Sequence, residues 1–266
     1  MKKPSRYEPA KRSLGQNFLI DPFFQKKIAS DVLAFQKDHL VIEIGPGRGA
    51  ITQHLTHHTK KLLLIEKDDA LAKDWQQELA AKPHCTVWHG DALEWDTNSI
   101  GEEKALVVGN LPYNVATPIL LKFLKAKPTF TRLTFMLQKE VAQKCMAEPG
   151  HKNYGPLSVT CQLLSDMEKI CDVPPQAFKP QPNVDSRVLS FSPKSVDPNL
   201  DVEKFLHFVQ VAFSQRRKML RGVLPKFGMD VQEFEHKENF MQRRAESLSG
   251  EEWLTLFSQV LKTNTK

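Results

Sequence analysis

Asn110-Leu111-Pro112-Tyr113 is a tetrapeptide suited to gripping a planar base that bears an amino group. The Asn110 side-chain oxygen and the Leu111 backbone carbonyl can both accept hydrogen bonds from an exocyclic amine, and the Tyr113 ring can stack on the base. The amine lone pair of adenine is delocalised into the ring and is a poor nucleophile. Two acceptors arranged for a tetrahedral nitrogen favour the transition state over the flat ground state, which is the condition for acceleration rather than mere binding. No general base is needed before attack on a methyl donor, because the nitrogen can lose its proton after the methyl arrives. The plainer reading is an ordinary Asn-Pro turn.

A second signal is Glu43-Ile44-Gly45-Pro46-Gly47-Arg48-Gly49-Ala50, lying between an expected strand and an expected helix. Glycines there let the backbone turn sharply and approach a ligand closely. Gly45, Gly47 and Ala50 satisfy the dinucleotide fingerprint, and Glu66, about twenty residues on, could bind ribose hydroxyls. Taken by itself the loop suits NAD and S-adenosylmethionine (SAM) equally. Asp91 follows the third expected strand in Gly90-Asp91-Ala92 and the tetrapeptide follows the fourth. Ligands in doubly wound sheets sit at the carboxyl ends of strands, so all four signals fall on one rim. For Asp91 alone, a helix cap is an equally good reading.

The elements that must position these residues alternate. Strand candidates are Leu40–Ile44, Lys61–Ile65, Thr86–His89, Ala105–Val108 and Leu133–Leu137, short and rich in Val, Ile or Leu without strict polar alternation, as strands buried on both faces are. Asp68–Ala81 and Thr117–Leu124 carry apolar residues three and four apart, and Asp21–Phe35 opens with Asp then Pro. A parallel sheet with crossover helices is expected from about residue 20 to 165. Beyond it Pro174, Pro175, Pro180 and Pro182 crowd one segment, Arg187–Phe191 reads as an edge strand and Ser192–Asp201 as a linker. Phe205, Val209 and Phe213, then Trp253, Leu256, Phe257 and Val260, recur at helical spacing, so a small helical domain closes the chain. The expected domains are 1–195, α/β and Rossmann-like, and 196–266, all-helical.

The composition agrees with a globular chain. Apolar residues make up 41% of the 266 and charged residues 26%, which argues against bulk disorder or a fibrous architecture. An excess of 37 Lys+Arg over 31 Asp+Glu, net +6, predicts attraction to something anionic. Cys85, Cys145, Cys161 and Cys171 form no CxxC pair and read as reduced thiols of a cytoplasmic protein. No apolar run follows the basic start, which disfavours a signal peptide, and Ala105–Leu121, broken by Gly109, Asn110, Pro112, Asn114 and Pro118, is no membrane segment.

Arg12-Ser13-Leu14-Gly15-Gln16-Asn17-Phe18-Leu19, the Glu43–Gly49 loop, Asn110–Tyr113, Gln138-Lys139-Glu140, Phe178-Lys179-Pro180-Gln181-Pro182-Asn183-Val184-Asp185-Ser186 and Arg216-Arg217-Lys218 stand in order along most of the chain. Together they closely resemble the ribosomal RNA adenine dimethyltransferases, the KsgA/RsmA family. The resemblance implies a SAM-dependent methyltransferase domain that dimethylates two adjacent adenosines in a hairpin near the 3′ end of 16S ribosomal RNA, within an immature 30S subunit. It implies a SAM site lined by Asn17, Leu19, Gly45, Gly47, Glu66, Asp91 and Asn110, with Glu66 on the ribose and Asp91 near the cofactor's adenine. It places Asn110, Leu111, Pro112 and Tyr113 against the substrate base. Gly222, after Arg221, stands where a polar residue such as Asn is expected, which puts one RNA contact in doubt.

Three further readings bear on the substrate. The proline-rich loop is expected to hold Phe178 over the rim of the site, where a second ring opposite Tyr113 would replace the stacking an extruded adenine loses; otherwise Phe178 is a buried anchor. Arg216, Arg217, Lys218, Arg221 and Lys226, with Lys2, Lys3, Arg6, Lys11 and Arg12, form two basic clusters expected to position RNA by its phosphates, with a basic cleft between the domains. His54, His57 and His58 could share a face of the helix after the glycine loop, but no carboxylate or thiolate stands near in the sequence and methyl transfer from a sulfonium gives a metal nothing to do, so no metal is expected. A basic enzyme acting on a ribosomal particle has no evident need to dimerise, so a monomer is expected. The rivals are a large-subunit adenine methyltransferase of the macrolide-resistance type, an NAD-dependent dehydrogenase, which leaves Asn110–Tyr113 unexplained, and a non-catalytic ribosome-assembly factor.

Overall fold

The computed structural model describes residues 9–126, 129–227 and 239–263. Lys2, Lys3 and Arg6 of the N-terminal basic cluster lie outside them, as do the side chains of Arg12 and Lys226. The chain divides into two compact units, one running to Ala142 and resuming over Asp166–Pro193, the other comprising Gln143–Ser165 and the chain from Lys194 onward. The expected unbroken first domain, 1–195, is therefore corrected.

The first unit is built on a seven-stranded sheet. Its strands are β2 (Leu40–Ile44), β3 (Leu62–Glu66), β4 (Cys85–His89), β5 (Ala105–Asn110), β6 (Phe130–Gln138), β7 (Ser165–Val173) and β9 (Ser186–Pro193), in the order β4-β3-β2-β5-β6-β9-β7. A separate two-stranded ribbon pairs β1 (Phe18–Leu19) antiparallel with β8 (Phe178–Lys179). Strands β2 to β6 pair in parallel, and β9 runs antiparallel to β6. The apolar strand sequences fit this place: every residue of β2, and β5 up to Gly109, is buried. Arg187–Phe191, read as an edge strand, lies inside the order, because β7 covers its far side. Strand β7 escaped the sequence reading; its Ser-Asp-Met-Glu-Lys start is too polar to announce a strand.

Helix α1 (Pro22–Phe35) starts where expected, its first turn capped by the Asp21 carboxylate accepting from Phe23 N at 2.8 Å. Helix α2 is a single turn (Thr52–Leu55), so His57 and His58 lie past its end and the helical face assumed for the three histidines does not exist. Helix α3 (Asp69–Leu79) is capped by Asp68, and α4 (Ala116–Lys125) leads to β6. Helix α1 packs on β5 and β6, α3 on β3 and β4, and α4 on β6. After β6 comes α5 (Lys139–Cys145).

The second unit is helical: α6 (Pro156–Leu164), α7 (Val202–Phe213) and α8 (Gly250–Thr263), with short 3-10 turns and no strand of its own among the described residues beyond Ser165. Phe205, Val209, Trp253, Leu256, Phe257 and Val260, whose spacing announced it, are buried in one cluster with Tyr154 and Val159. Residues 143–165 belong here because that cluster takes their apolar side chains and the Tyr154 hydroxyl donates to the Leu248 carbonyl at 2.7 Å. The basic cluster Arg216–Arg221 follows the end of α7 as turns and one 3-10 turn. No helix among the described residues is long and apolar enough to cross a membrane.

Candidate active site

The parallel register aligns the carboxyl ends of four strands: Ile44 stands beside Ile65 and Gly109, and Glu66 beside His89. The turns that leave those ends line one cavity in the first unit. All ten residues expected at the cofactor and base, Asn17, Leu19, Gly45, Gly47, Glu66, Asp91, Asn110, Leu111, Pro112 and Tyr113, lie on its wall.

The glycine loop is held from below by Glu66. Its carboxylate accepts from Gly47 N at 3.0 Å through Oε2 and from Asp68 N at 2.9 Å through Oε1. Burial raises its pKa, and those backbone donors oppose the rise. Gly45 and Gly47 both sit at positive φ, +64° and +54°, where an L side chain is strained. A Cβ on Gly47 would also press on the Phe18 ring at 3.0 Å, whereas one on Gly45 would meet open space. The backbone at Gly45 is thus bare toward a ligand.

Asp91 caps its own turn, accepting from Leu93 N at 2.9 Å, and pairs with Lys67 at 2.7 Å. Burial works to raise its pKa, but the Lys67 ammonium and the Leu93 amide outweigh it and hold the carboxylate below its usual range. Asn110 is the last residue of β5, two residues beyond the expected end of that strand. Its Nδ2 donates to the Asn17 carbonyl at 2.9 Å. Tyr113, in the turn that follows, shares a 2.7 Å hydrogen bond with Ser186 Oγ.

Phe178 is elsewhere. It is 2% exposed, packs in the core of the first unit and is absent from the cavity wall. The expectation of a ring over the rim is corrected to that of a buried anchor: Phe178 pairs with Leu19 in the β1–β8 ribbon, and so supports the segment carrying Asn17 and Leu19. Arg216, Arg217, Lys218 and Arg221 lie in the second unit, exposed, with Arg216 paired to Glu246 at 2.8 Å.

Two acids escaped the sequence reading. Glu43, 1% exposed, lies on the cavity wall with Oε2 unpartnered. Burial pushes its carboxyl up to about 8, and the neighbouring Glu66 carboxylate adds to the rise while Thr52 opposes it. Asp68, buried, caps α3 and accepts from Lys11 Nζ at 2.9 Å and Gln16 Nε2 at 3.0 Å, fastening the N-terminal segment whose residues 13–19 form one wall. Glu43 stands in the glycine motif and could have been weighed there; Asp68 gave no signal beyond a helix cap. Among the described residues no group of three or more His, Cys, Asp and Glu side chains could hold a metal ion.

Residues 8–262 match the family described as ribosomal RNA adenine dimethylase. The chain belongs to that family. It is 39% identical over 260 residues to the ribosomal RNA small subunit methyltransferase A of Geobacter metallireducens, covering 93% of this chain and 94% of that one. The protein of the same name from Chlorobium phaeobacteroides is 40% identical over 252 residues, covering 94% and 91%. Among solved structures, a dimethyladenosine transferase from Plasmodium falciparum superposes with a TM-score of 0.79 at 22% identity, covering 93% and 98%, and shares the fold. The 23S rRNA methyltransferase ErmE superposes at 0.69 with 26% identity, covering 92% and 99%. As a ribosomal RNA adenine dimethylase the chain is a SAM-dependent methyltransferase acting on ribosomal RNA. The cavity suits that cofactor: a bare backbone at Gly45, and carboxylates at Glu66 and Asp91 for hydroxyl and amine donors.

Proposed function

We propose that this adenine dimethylase acts on two adjacent adenosines in a hairpin near the 3′ end of 16S ribosomal RNA within the maturing 30S subunit, as a cytoplasmic monomer. The names of its relatives at about 40% identity support the small-subunit substrate over the large-subunit one.

The observation that carries the chemistry is the Asn110–Asn17 hydrogen bond. A carbonyl can only accept, so the group facing Asn17 is the Asn110 NH2, and the amide oxygen is the end left to accept from a substrate. Asn110 Oδ1 and the Leu111 carbonyl then take the two hydrogens of the adenine amine, drawing its lone pair out of conjugation, while Pro112 stiffens the turn and Tyr113 stacks on the base. Glu66 would hold the ribose of the cofactor and Asp91 its adenine amine, with Asn17, Leu19, Gly45 and Gly47 enclosing the rest. When bound, SAM supplies an electrophilic methyl group on a sulfonium. Arg217, Lys218 and Arg221 would meet RNA phosphates.

Incubation with labelled SAM and immature small subunits from a strain lacking the modification, followed by mapping of the labelled nucleotides, tests this. Label is expected on two neighbouring adenosines of the small-subunit RNA. Label on large-subunit RNA overturns the substrate assignment.

A further inference from the structure

We propose that Ser186 is a positioning residue for methyl transfer, acting by fixing the ring of Tyr113; the proposal rests on the reading of Tyr113 as the base-stacking residue.

Tyr113 sits in the turn after β5, outside any regular element, yet it lines the cavity. A ring attached only through Cβ to a turn can pivot about χ1, carrying its face across the site. Stacking needs a face at a fixed place, and transfer to the amine depends steeply on the orientation of the base. A second attachment at the far end of the ring removes that pivot. The phenol oxygen has one: Ser186 Oγ at 2.7 Å, across 73 residues of chain.

Ser186 is itself immobilised. It is fully buried at the start of β9, in register with Gln138 at the end of β6. Its neighbour Asp185 is pinned twice by one residue, the carbonyl accepting from Lys139 N at 2.9 Å and the carboxylate pairing with Lys139 Nζ at 2.9 Å. The paired strand ends and this clamp therefore present a hydroxyl at a fixed point, and the ring is referred to it. A phenylalanine would stack as well as a tyrosine, since stacking uses the π face alone. The hydroxyl of Tyr113 is explained by its contact with Ser186. Removing either hydroxyl frees the ring and leaves the other hydroxyl short of a partner.

The test is a double-mutant cycle on the full chain with RNA substrate, measuring kcat, KM for RNA and, by calorimetry, SAM affinity. Ser186→Ala and Tyr113→Phe are each expected to lower kcat about tenfold while KM and SAM affinity stay within about twofold, and the double variant is expected to lose no more than either single one. Ser186→Thr, which keeps the hydroxyl, is expected to recover most of kcat and also serves if Ser186→Ala fails to fold. Losses that multiply in the double variant, a wild-type kcat for Ser186→Ala, or a Ser186→Thr as slow as Tyr113→Phe would overturn the proposal. Tyr113→Ala separates the underlying reading: if it retains wild-type kcat, stacking by Tyr113 is wrong, whereas a large loss there with an unaffected Ser186→Ala leaves the stacking and removes only the role of Ser186.

Discussion

The Asn110 side-chain amide donates to the Asn17 main-chain carbonyl at 2.9 Å, tying the end of β5 to the segment just before β1, 93 residues earlier. One bond thus sets the orientation of the amide and ties the proposed base pocket to a wall of the cofactor cavity. Replacing Asn110 by Ala removes both the acceptor and the tie, and the methyl-transfer rate constant in single-turnover methylation is expected to fall by about 10²-fold or more. Asn110→Asp is the sharper case. It keeps an acceptor but sets a carboxylate against the Asn17 carbonyl, so it is expected to be nearly as slow as Ala. A variant Asp enzyme with wild-type kcat would mean that the orienting bond is irrelevant.

Phe178 makes the opposite prediction to a stacking residue. With its ring buried in the core cluster and its backbone paired with Leu19, truncation to Ala leaves a cavity, and a loss of about 3–5 kcal/mol of unfolding free energy is expected in denaturant titration. Phe178→Leu, which fills most of the space, is expected to keep kcat within a few-fold. A stable Leu variant with kcat reduced a hundredfold would return the ring to the substrate.

This reversal marks where sequence reasoning gives out. Strands β2, β3 and β5 were legible because a strand buried on both faces must be apolar throughout, and the glycine loop because its positive φ angles exclude most side chains. Whether an aromatic ring such as Phe178 faces solvent or core depends on what pairs with its strand, and its partner Leu19 lies far away in the chain. The same holds for Tyr113 and Ser186, and for Arg187–Phe191, an edge strand only until β7, itself too polar to recognise, is laid beside it. The run Gln143–Ser165 falls within the expected first domain but belongs to the second unit, because short apolar helices look alike whichever core receives them.

Glu43 predicts a pH dependence with a definite sign. Its carboxyl titrates at about 8 in the fold against an ordinary value of 4.5, so the unfolded chain gives up the proton first. The folded state is favoured fully below about 4.5, loses ground progressively as pH rises toward 8, and the loss levels off above it. At about 1.36 kcal/mol per pH unit the ceiling is about 5 kcal/mol, and relaxation of the site will reduce it. Glu43→Gln, neutral at every pH, is expected to match the wild type in denaturant midpoint at pH 5 and exceed it at pH 8.5. A difference that does not grow with pH would show that the acid is already ionised in the fold.

The exposed cations of the second unit should differ among themselves. Each phosphate contact by a Lys or Arg releases condensed counterions, steepening the fall of log K with log salt by about 0.7–0.9 per contact. Arg217, Lys218 and Arg221 stand exposed, whereas Arg216 pairs with the Glu246 carboxylate at 2.8 Å and would exchange that partner for a phosphate. Substituting Ala for Arg217, Lys218 or Arg221 is therefore expected to flatten the salt slope of RNA binding by close to one contact's share, and for Arg216 by less, because binding there only exchanges the Glu246 carboxylate for a phosphate. Binding titrations between about 50 and 200 mM salt read both slopes. Equal slopes for wild type and the triple variant of Arg217, Lys218 and Arg221 would take this face out of the RNA interface, while leaving the chemistry at Asn110 untouched.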